Sequence, residues 1–168
     1  VPRFVGHIRS EAQRLVTLIG DIIRLSQLDE GDEMPREQVD LLAVANEVQA
    51  DLRGEAEQKQ VRVQVDGVAA RLSGVRRLLY EIVFNLCDNA IKYNREGGSV
   101  HVAVAKNGNF AAVTVADTGI GVAPEYQERI FERFYRVDKS HSKASGGTGL
   151  GLSIVKHAVA YHHGSIDL

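Results

Sequence analysis

The sequence has little cysteine, no long apolar run and no large excess of charge, and each of these features excludes a class of protein. A single cysteine, Cys87, cannot form a disulfide framework or an all-cysteine metal site, because both need several thiols. No run approaches the about twenty apolar residues that cross a bilayer. The positive charges of 20 lysine and arginine residues nearly cancel the negative charges of 22 aspartate and glutamate residues. The net charge of -2 gives no general attraction for nucleic acid. We therefore expect a protein of a reducing compartment that does not bind nucleic acid.

The remaining composition is that of an ordinary globular protein. A charged fraction of 25% beside a hydrophobic fraction of 44% argues against a disordered tail or a fibrous repeat. The length of 168 residues suffices for one well-buried domain with an accessory element. The sequence starts at Val1 without a signal segment and stops at Leu168 within a predicted strand, so we expect it to be part of a longer protein.

The first thirty or so residues predict a long helix that packs against other helices. Apolar residues recur at spacings of three and four from Val5 to about Leu28, and a second apolar stripe widens this seam. Because one helix cannot bury two stripes against itself, we expect partner helices outside this chain. The alternative is a surface helix docked on its own domain. The charged segment 29–35 contains Gly31 and Pro35, which predicts that the helix ends near residue 30 and that residues 31–35 form a linker.

The remaining 133 or so positions mix helix and strand patterns without strict alternation. An Asn-Gly pair at Asn107-Gly108 separates two alternating segments and predicts a hairpin. This mixture favours an α+β sandwich with helices on one face of a largely antiparallel sheet. The predicted helices cover 41–52, 75–93 and a segment from 152, and the predicted strands cover 61–65, 100–104, 110–116 and 164–168.

A polar stripe runs along the helix predicted over 75–93. Glu81, Asn85 and Asn89 follow one another at i, i+4 spacing, and the stripe extends to Lys92. Asparagines are poor helix formers, and inward-facing amides need partners. A hydrated divalent cation with phosphate oxygens would supply such partners. The alternative is a solvated helix face.

A second candidate site follows the strand predicted over 110–116. Asp117-Thr-Gly-Ile-Gly121 places a carboxylate before two glycines. Glycines permit close backbone approach to a planar ligand, and the carboxylate can accept a hydrogen bond from an exocyclic amine. A plain turn would explain the same glycines.

A third candidate site is the glycine-rich segment 146–151, which leads into the last predicted helix. Free backbone N–H groups at a helix start favour an anion such as phosphate. No Gly-Lys-Ser/Thr sequence follows, and the glycine spacing does not fit the dinucleotide-binding pattern. A flexible hinge is the alternative.

Taken together, these segments resemble the N, G1, F and G2 boxes of sensor histidine kinases in order and spacing. That likeness spans about 36–168, and it implies the Bergerat-type ATP-binding fold, a two-layer α/β sandwich shared with gyrase, heat-shock chaperones and mismatch-repair ATPases. Residues 1–30 look like the second helix of the family's dimerisation and phosphotransfer hairpin, and 36–168 like the catalytic domain without its last strand. The matching runs are Asn85-Leu-Cys-Asp-Asn89-Ala-Ile-Lys92-Tyr93, Asp117-Thr-Gly-Ile-Gly121, Phe131-Glu-Arg-Phe134-Tyr135-Arg136 and Gly147-Thr-Gly-Leu-Gly151-Leu.

The resemblance implies a role for each matching residue in binding ATP and Mg²⁺. Asn89 would ligate the metal, with Asn85 supporting the phosphate or metal shell. Asp117 would accept the adenine amino hydrogen. Lys92 and Tyr93 would lie near the phosphates and sugar, and Gly119 and Gly121 would surround the adenine. The implied phosphate loop consists of Gly147, Thr148, Gly149, Leu150 and Gly151. The near edge of a mobile lid would consist of Phe134, Tyr135 and Arg136, with positive charge added by Lys139 and Lys143.

The implied reaction transfers the ATP γ-phosphoryl group to a histidine and then to an aspartate in the receiver domain of a response regulator. The parent protein would be a homodimer through its hairpin, and a membrane-anchored bacterial sensor with this part in the cytoplasm. None of the six histidines here is followed by an acidic residue, as the family's phosphoacceptor is. We therefore assign no catalytic histidine and expect this chain alone to be unable to autophosphorylate.

Two other functions stay open at this point. One is a related ATPase that hydrolyses ATP to drive a conformational clamp, for which Glu81 stands one turn from Asn85 as a possible water-activating carboxylate. The other is a nucleotide-binding scaffold without catalysis. Cys87 is assigned to packing. The pair His162-His163 lies near no acid or cysteine that would complete a metal site.

Overall fold

A computed structural model describes residues 2–31, 33–137 and 147–168 of the chain. The described residues form two compact units, a sheet unit of Glu33–Ala123 and a helix unit of Val1–Asp32 with Pro124–Leu168. The helices are α1 (Pro2–Glu30), α2 (Leu41–Asp51), α3 (Arg53–Lys59), α4 (Arg76–Lys92) and α5 (Gly151–Tyr161), with short 3-10 turns at Pro124–Tyr126 and Arg129–Phe131. The strands are β1 (Glu37–Asp40), β2 (Arg62–Gly67), β3 (Arg71–Gly74), β4 (Ser99–Asn107) and β5 (Phe110–Asp117).

The main sheet of the sheet unit is mixed, with strand order β2-β4-β5. The predicted hairpin is confirmed, because β4 and β5 pair antiparallel and Gly108 in their turn has a φ of 60°. The prediction of a largely antiparallel sheet was wrong in one respect, since β2 pairs parallel with β4. The chain between these two strands includes α4, and a crossover of that length delivers a parallel neighbour.

Two short strands that the sequence analysis did not predict form a separate ribbon. β1 and β3 pair antiparallel over four residues each. The Asp40 carboxylate accepts hydrogen bonds from the Leu42 N–H at 3.0 Å and the Ala70 N–H at 3.2 Å. Asp40 thereby caps α2, as short acidic side chains do at helix starts, and joins the ribbon to that helix.

The core of the sheet unit lies between the sheet and helices α2 and α4. Val48 of α2, Val83 of α4 and Val100 of β4 are at most 1% exposed. Alternate residues of β4 continue this pattern, with Val102 buried and His101 exposed, as the sequence alternation predicts. Cys87 also lies in this core, and burial raises the pKa of its thiol to about 12, which agrees with a packing role.

The helix unit has a second, smaller apolar cluster. Leu25 of α1 packs with Leu150 and Ile154, and Leu18 borders them. The C-terminal part of α1 thus docks on α5. The rest of its apolar seam is open, with exposed fractions between 46% and 63% at Val5, Ile8, Leu15, Val16, Ile19, Ile22 and Ile23. Despite these side chains, none of the described helices is apolar over a long enough stretch to cross a membrane.

The prediction of a strand over 164–168 was wrong. α5 ends where His163 adopts a φ of 58° and the Gly164 N–H donates to Val159 O at 3.0 Å. The residues beyond this point pair with no strand among the described residues, and Leu168 is 69% exposed. Two alternating apolar residues do not make a strand without a neighbour to share the backbone hydrogen bonds.

We predict that Leu79→Ala lowers the free energy of unfolding by about 2–4 kcal/mol, because it removes a buried side chain between α4 and the sheet. Chemical denaturation measures this loss. Phe110→Ala is the control, since its ring is 76% exposed and its loss should change stability by about 0.5 kcal/mol or less. Equal losses in the two variants would contradict the core described here.

Candidate functional site

The polar stripe of α4 is half-buried along its length. Glu81, Asn85 and Asn89 all have intermediate exposure, so a fully solvated helix face does not describe them. The Asn85 side-chain nitrogen donates to the Glu81 backbone oxygen at 2.8 Å, which uses one of its amide hydrogens within its own helix. The Asn89 side chain makes no hydrogen bond to any residue that the structure describes. Asn89 is therefore the stripe asparagine whose whole amide is available to a ligand.

Lys92, at the C-terminal end of α4, is held by an ion pair. Its ammonium lies 2.6 Å from the Asp88 carboxylate, whose side chain is 19% exposed. Lys59 donates to the Lys92 backbone oxygen at 2.9 Å. Two cations thus stand near a helix C-terminus, where positive charge is favourable. The sequence analysis did not use Asp88, although its i, i+4 spacing to Lys92 signals the pair.

The predicted turn after β5 lies against the end of α4. Within this turn the Gly119 N–H donates to Asp117 Oδ1 at 2.7 Å. The Ile120 N–H donates to the Tyr93 backbone oxygen at 3.1 Å. The structure therefore brings the second candidate site, Asp117 to Gly121, together with Tyr93 of the first.

The two glycines of this turn are required for different reasons. A Cβ at Gly119 would stand 2.6 Å from the Tyr93 oxygen and 2.7 Å from Asp117 Oδ1. Gly121 instead has a φ of 68°, a backbone conformation that favours glycine. The turn and the end of α4 thus approach each other too closely for any side chain at Gly119.

A buried asparagine missed by the sequence analysis joins these elements. Asn94 is 6% exposed and directly follows Tyr93. Its Nδ2 donates to Ala90 O at 3.1 Å and Ser99 O at 3.0 Å, while its Oδ1 accepts from Thr118 Oγ1 at 3.1 Å. The local sequence Asn-Arg-Glu-Gly-Gly has the composition of an ordinary turn, so it carries little signal for a buried amide.

The glycine loop belongs to the helix unit, where it meets the lid-edge segment. The Phe134 N–H donates to Gly149 O at 3.0 Å, and a Cβ at Gly149 would come within 3.1 Å of Phe134 Cα. Both residues have positive φ, 76° at Gly149 and 61° at Phe134. Gly147 is half-buried, Leu150 is fully buried, and Gly151 is the first residue of α5. Gly146, Lys139 and Lys143 lie outside the described residues.

The lid-edge residues Tyr135 and Arg136 are half-buried and Phe134 is exposed. The Arg129 guanidinium lies 4.3 Å from the centre of the Tyr135 ring, a cation–π arrangement. The Arg136 side chain lies within 3.4 Å of the position that a Cβ at Gly149 would occupy. These contacts place residues 134–136, which were predicted to form the near edge of a lid, beside the glycine loop.

The same loop contacts helix α1 through polar side chains. Thr148 Oγ1 donates to Asp21 Oδ2 at 2.8 Å. Asp21 is 8% exposed and also pairs with Arg24 at 3.1 Å. Closer to the end of α1, Asp29 pairs with Arg133 at 2.6 Å. Two carboxylates of α1 thus hold groups on either side of the lid edge.

No cluster of three or more metal-ligating histidine, cysteine, aspartate or glutamate side chains occurs among the described residues. A ring nitrogen of His162 lies 2.7 Å from the Ala158 oxygen of its own helix, and its ring packs edge-on against Tyr161.

The sheet unit thus brings a helix with two asparagines against an Asp-x-Gly-x-Gly turn, the two features that the sequence analysis expected of a nucleotide-binding ATPase domain. Residues 74–168 match the family of histidine kinase-, DNA gyrase B- and HSP90-like ATPases. The match covers more than half of the chain, and the chain belongs to this family. The resemblance found in the sequence motifs is thereby confirmed.

Two curated relatives are similar to the whole chain. The sensor-like histidine kinase SenX3 of Mycolicibacterium smegmatis is 41% identical over 170 residues, which cover 100% of this chain and 44% of the relative. The phosphate regulon sensor protein PhoR of Pseudomonas aeruginosa is 35% identical over 99% of this chain and 38% of the relative. The chain thus spans less than half the length of these relatives, and the similarity includes α1.

Solved structures of histidine kinases share the fold. Full-length ShkA in complex with AMPPNP has a TM-score of 0.83 and 27% identity, over 98% of this chain and 34% of that one. The mycobacterial sensor histidine kinase MprB has a TM-score of 0.68 and 30% identity, over 78% of this chain and 83% of that one. These likenesses confirm the predicted α+β sandwich preceded by one long helix.

We predict that Gly119→Ala lowers the free energy of unfolding by about 1–3 kcal/mol, because its Cβ would overlap the Tyr93 oxygen and force the turn away from α4. Thermal or chemical denaturation measures the loss. Gly54→Ala is the matched control. A Cβ at Gly54 meets nothing within 4 Å, and alanine in α3 should stabilise by up to about 1 kcal/mol. If Gly119→Ala is as stable as Gly54→Ala, the close approach is wrong.

Proposed function

We propose that the chain is the ATP-binding catalytic part of a two-component sensor histidine kinase. It would transfer the ATP γ-phosphoryl group to a histidine outside these residues, and from there to a response-regulator aspartate. The observation that carries this proposal is the 41% identity to a sensor-like histidine kinase over the entire chain, long helix included. The proposed organisation is a hairpin helix at 1–30, a linker at 31–35 and a catalytic domain at 36–168.

In this proposal the Asp117 turn binds the adenine. Asp117 Oδ1 accepts the Gly119 N–H, and Oδ2 makes no hydrogen bond to any described residue. An exposed carboxylate oriented through one oxygen can accept the exocyclic amine of adenine through the other. Gly121 and the half-exposed Tyr93 ring would border the base and sugar.

The proposed metal is Mg²⁺, held by the amide oxygen of Asn89. One protein ligand fits this ion, because Mg²⁺ keeps several waters and takes its other ligands from substrate phosphates. When bound, Mg²⁺ would neutralise charge on the phosphates. Asn85, one turn away, would support the same shell, and Lys92 would add positive charge while it stays paired with Asp88.

The triphosphate would be held by the loop from Gly147 to Gly151. Its residues Gly147, Thr148, Gly149 and Leu150 lead into the N-terminus of α5, which has no side-chain cap. The Leu150 N–H donates to Thr148 Oγ1 at 3.3 Å, and the N–H groups of the first turn of α5 would meet the anion. Phe134, Tyr135 and Arg136 would close over this loop as the near edge of a lid. Phosphoryl transfer depends mainly on positioning and charge stabilisation, and these groups would supply both.

The open seam of α1 supports a partner helix and a homodimer in the parent protein. Seven large apolar side chains on this helix are 46–63% exposed, a surface that helices bury by packing together. The partner in signalling would be the receiver domain of a response regulator. A solved relative, the histidine kinase ThkA in complex with its response regulator protein TrrA, shares the fold with a TM-score of 0.73 at 22% identity. The parent would be a membrane-anchored bacterial sensor with this part in the cytoplasm.

Labelling with radioactive γ-phosphate tests the proposed reaction. The chain alone should bind ATP in calorimetry and stay unlabelled, because none of its histidines has the expected acidic neighbour. The protein extended upstream through the missing hairpin helix should dimerise and acquire acid-labile label.

Three results would overturn the proposal. Label on His7 of the present chain would make the hairpin assignment wrong. Brisk steady ATP hydrolysis without any histidine-bearing partner would favour the clamp ATPase. No detectable ATP or ADP binding would favour a scaffold that has lost the nucleotide.

We predict that Asn89→Ala weakens ATP binding by about tenfold with Mg²⁺ present and by less than about twofold with excess chelator, because it removes a metal ligand. Calorimetry under both conditions measures the difference. Asn46→Ala is the matched control, since Asn46 is an exposed asparagine of α2 whose amide donates to its own helix. Equal losses with and without Mg²⁺ would contradict the metal assignment.

A further inference from the structure

The turn that carries Asp117 is anchored by a cluster of three polar residues, Asn94, Ser99 and Thr118, here called the anchoring cluster. Asn94 is its buried member, with both amide protons donated and its oxygen accepting from Thr118 Oγ1 and the Arg95 N–H. A buried amide with all its hydrogen bonds made has one favourable orientation. Asn94 therefore offers a fixed acceptor to Thr118.

Thr118 is held from two directions. Its hydroxyl donates to Asn94 Oδ1 at 3.1 Å and accepts from the Ser99 N–H at 2.9 Å. Its own backbone N–H donates to Ser99 O at 3.1 Å. The residue directly after Asp117 is thus joined to the first residue of β4 by side chain and backbone together.

The space around the anchoring cluster allows little adjustment. A Cβ at Gly98 would stand 2.1 Å from Asn94 Oδ1 and 2.7 Å from Thr118 Oγ1. The cluster thus packs directly against the backbone of the chain that enters β4.

The Asp117 carboxylate has few other constraints. It is exposed, and its hydrogen bond within the described residues is the one from the Gly119 N–H, inside the same turn. The direction of Oδ2 therefore follows from the backbone of residues 117–119. That backbone is held at Thr118 and, one residue beyond, by the bond from the Ile120 N–H to Tyr93 O.

We propose that Thr118 is a positioning residue for base recognition, whose hydroxyl, fixed by Asn94 and Ser99, directs the Asp117 carboxylate at the exocyclic amine of a bound adenine. This inference rests on the proposed function, because it assumes that the turn binds ATP. Selection for the amine then depends on a hydroxyl that does not touch the nucleotide.

The test compares two nucleotides that differ only in that amine. ATP carries the amine, and purine riboside triphosphate lacks it. Calorimetry gives both dissociation constants for the wild type, Thr118→Val and Thr118→Ser. Thr118→Val should weaken ATP binding by about tenfold and analogue binding by less than about twofold, because only ATP uses the directed carboxylate. Thr118→Ser keeps the hydroxyl and should bind ATP as the wild type does.

Tyr80→Phe is the matched structural control. It removes one hydroxyl, which donates to Asp51 at 2.7 Å, from another part of the sheet unit. Thr118 is exposed and valine has its shape, so Thr118→Val should fold as Tyr80→Phe does. Melting curves of the two variants verify this. Thr118→Ala is measured beside Thr118→Val, so that the result does not depend on the added methyl group. Tyr80→Phe should leave the ratio of ATP to analogue affinity unchanged.

The outcomes separate this inference from the proposed function. A wild type that binds neither nucleotide refutes ATP binding itself. A wild type that binds ATP, with Thr118→Val and Thr118→Ala losing both nucleotides equally or neither, overturns the positioning role alone. With Asp117→Ala as background, adding Thr118→Val should cost no further ATP affinity, and an additive loss would show that Thr118 acts by another route.

Discussion

The sheet unit depends on one buried amide at the place where three elements end or begin. Asn94 hydrogen bonds to the last turn of α4, to the start of β4 and to the turn after β5. An amide buried at this depth destabilises the fold unless its donors and acceptor are matched, so these three elements have to keep one arrangement. The residues proposed to bind the adenine and the metal lie on two of them, α4 and the turn after β5. Asn94 thus links the stability of the unit to the geometry of its candidate site.

Much of the fold could be predicted because it follows from local periodicity. The alternation in β4, the Asn107-Gly108 turn and the seam of α1 are each visible in a short window of sequence, and each is present in the structure. The sequence analysis missed β1 and β3 because a strand of four residues is too short to show a clear alternation of apolar and polar residues. The parallel pairing of β2 was missed because it depends on a crossover through α4, which no local pattern contains.

The residues of the candidate site also divide into those that the sequence indicated and those that it did not. Asp117, Asn89 and the glycine loop could be proposed from the sequence because their residue types suit the chemistry of a nucleotide and their motifs occur in a familiar order. Asn94 and Thr118 were missed because their hydrogen-bond partners are other groups of the protein, up to 24 positions away in the sequence. A sequence displays groups suited to meet a ligand more readily than groups that hold such residues in place.

The helix unit shows a different relation between binding loop and scaffold. A hydroxyl has one proton, and Thr148 donates its proton to Asp21 of α1. The same hydroxyl accepts from the Leu150 N–H at 3.3 Å, so Thr148 joins the start of α5 to the long helix. The Asp29–Arg133 pair fastens the preceding segment to the same helix. Helix α1 therefore has two roles, since it presents open apolar side chains from Val5 to Ile23 while its carboxylates at Asp21 and Asp29 hold the loop proposed to bind the triphosphate and the segment before it.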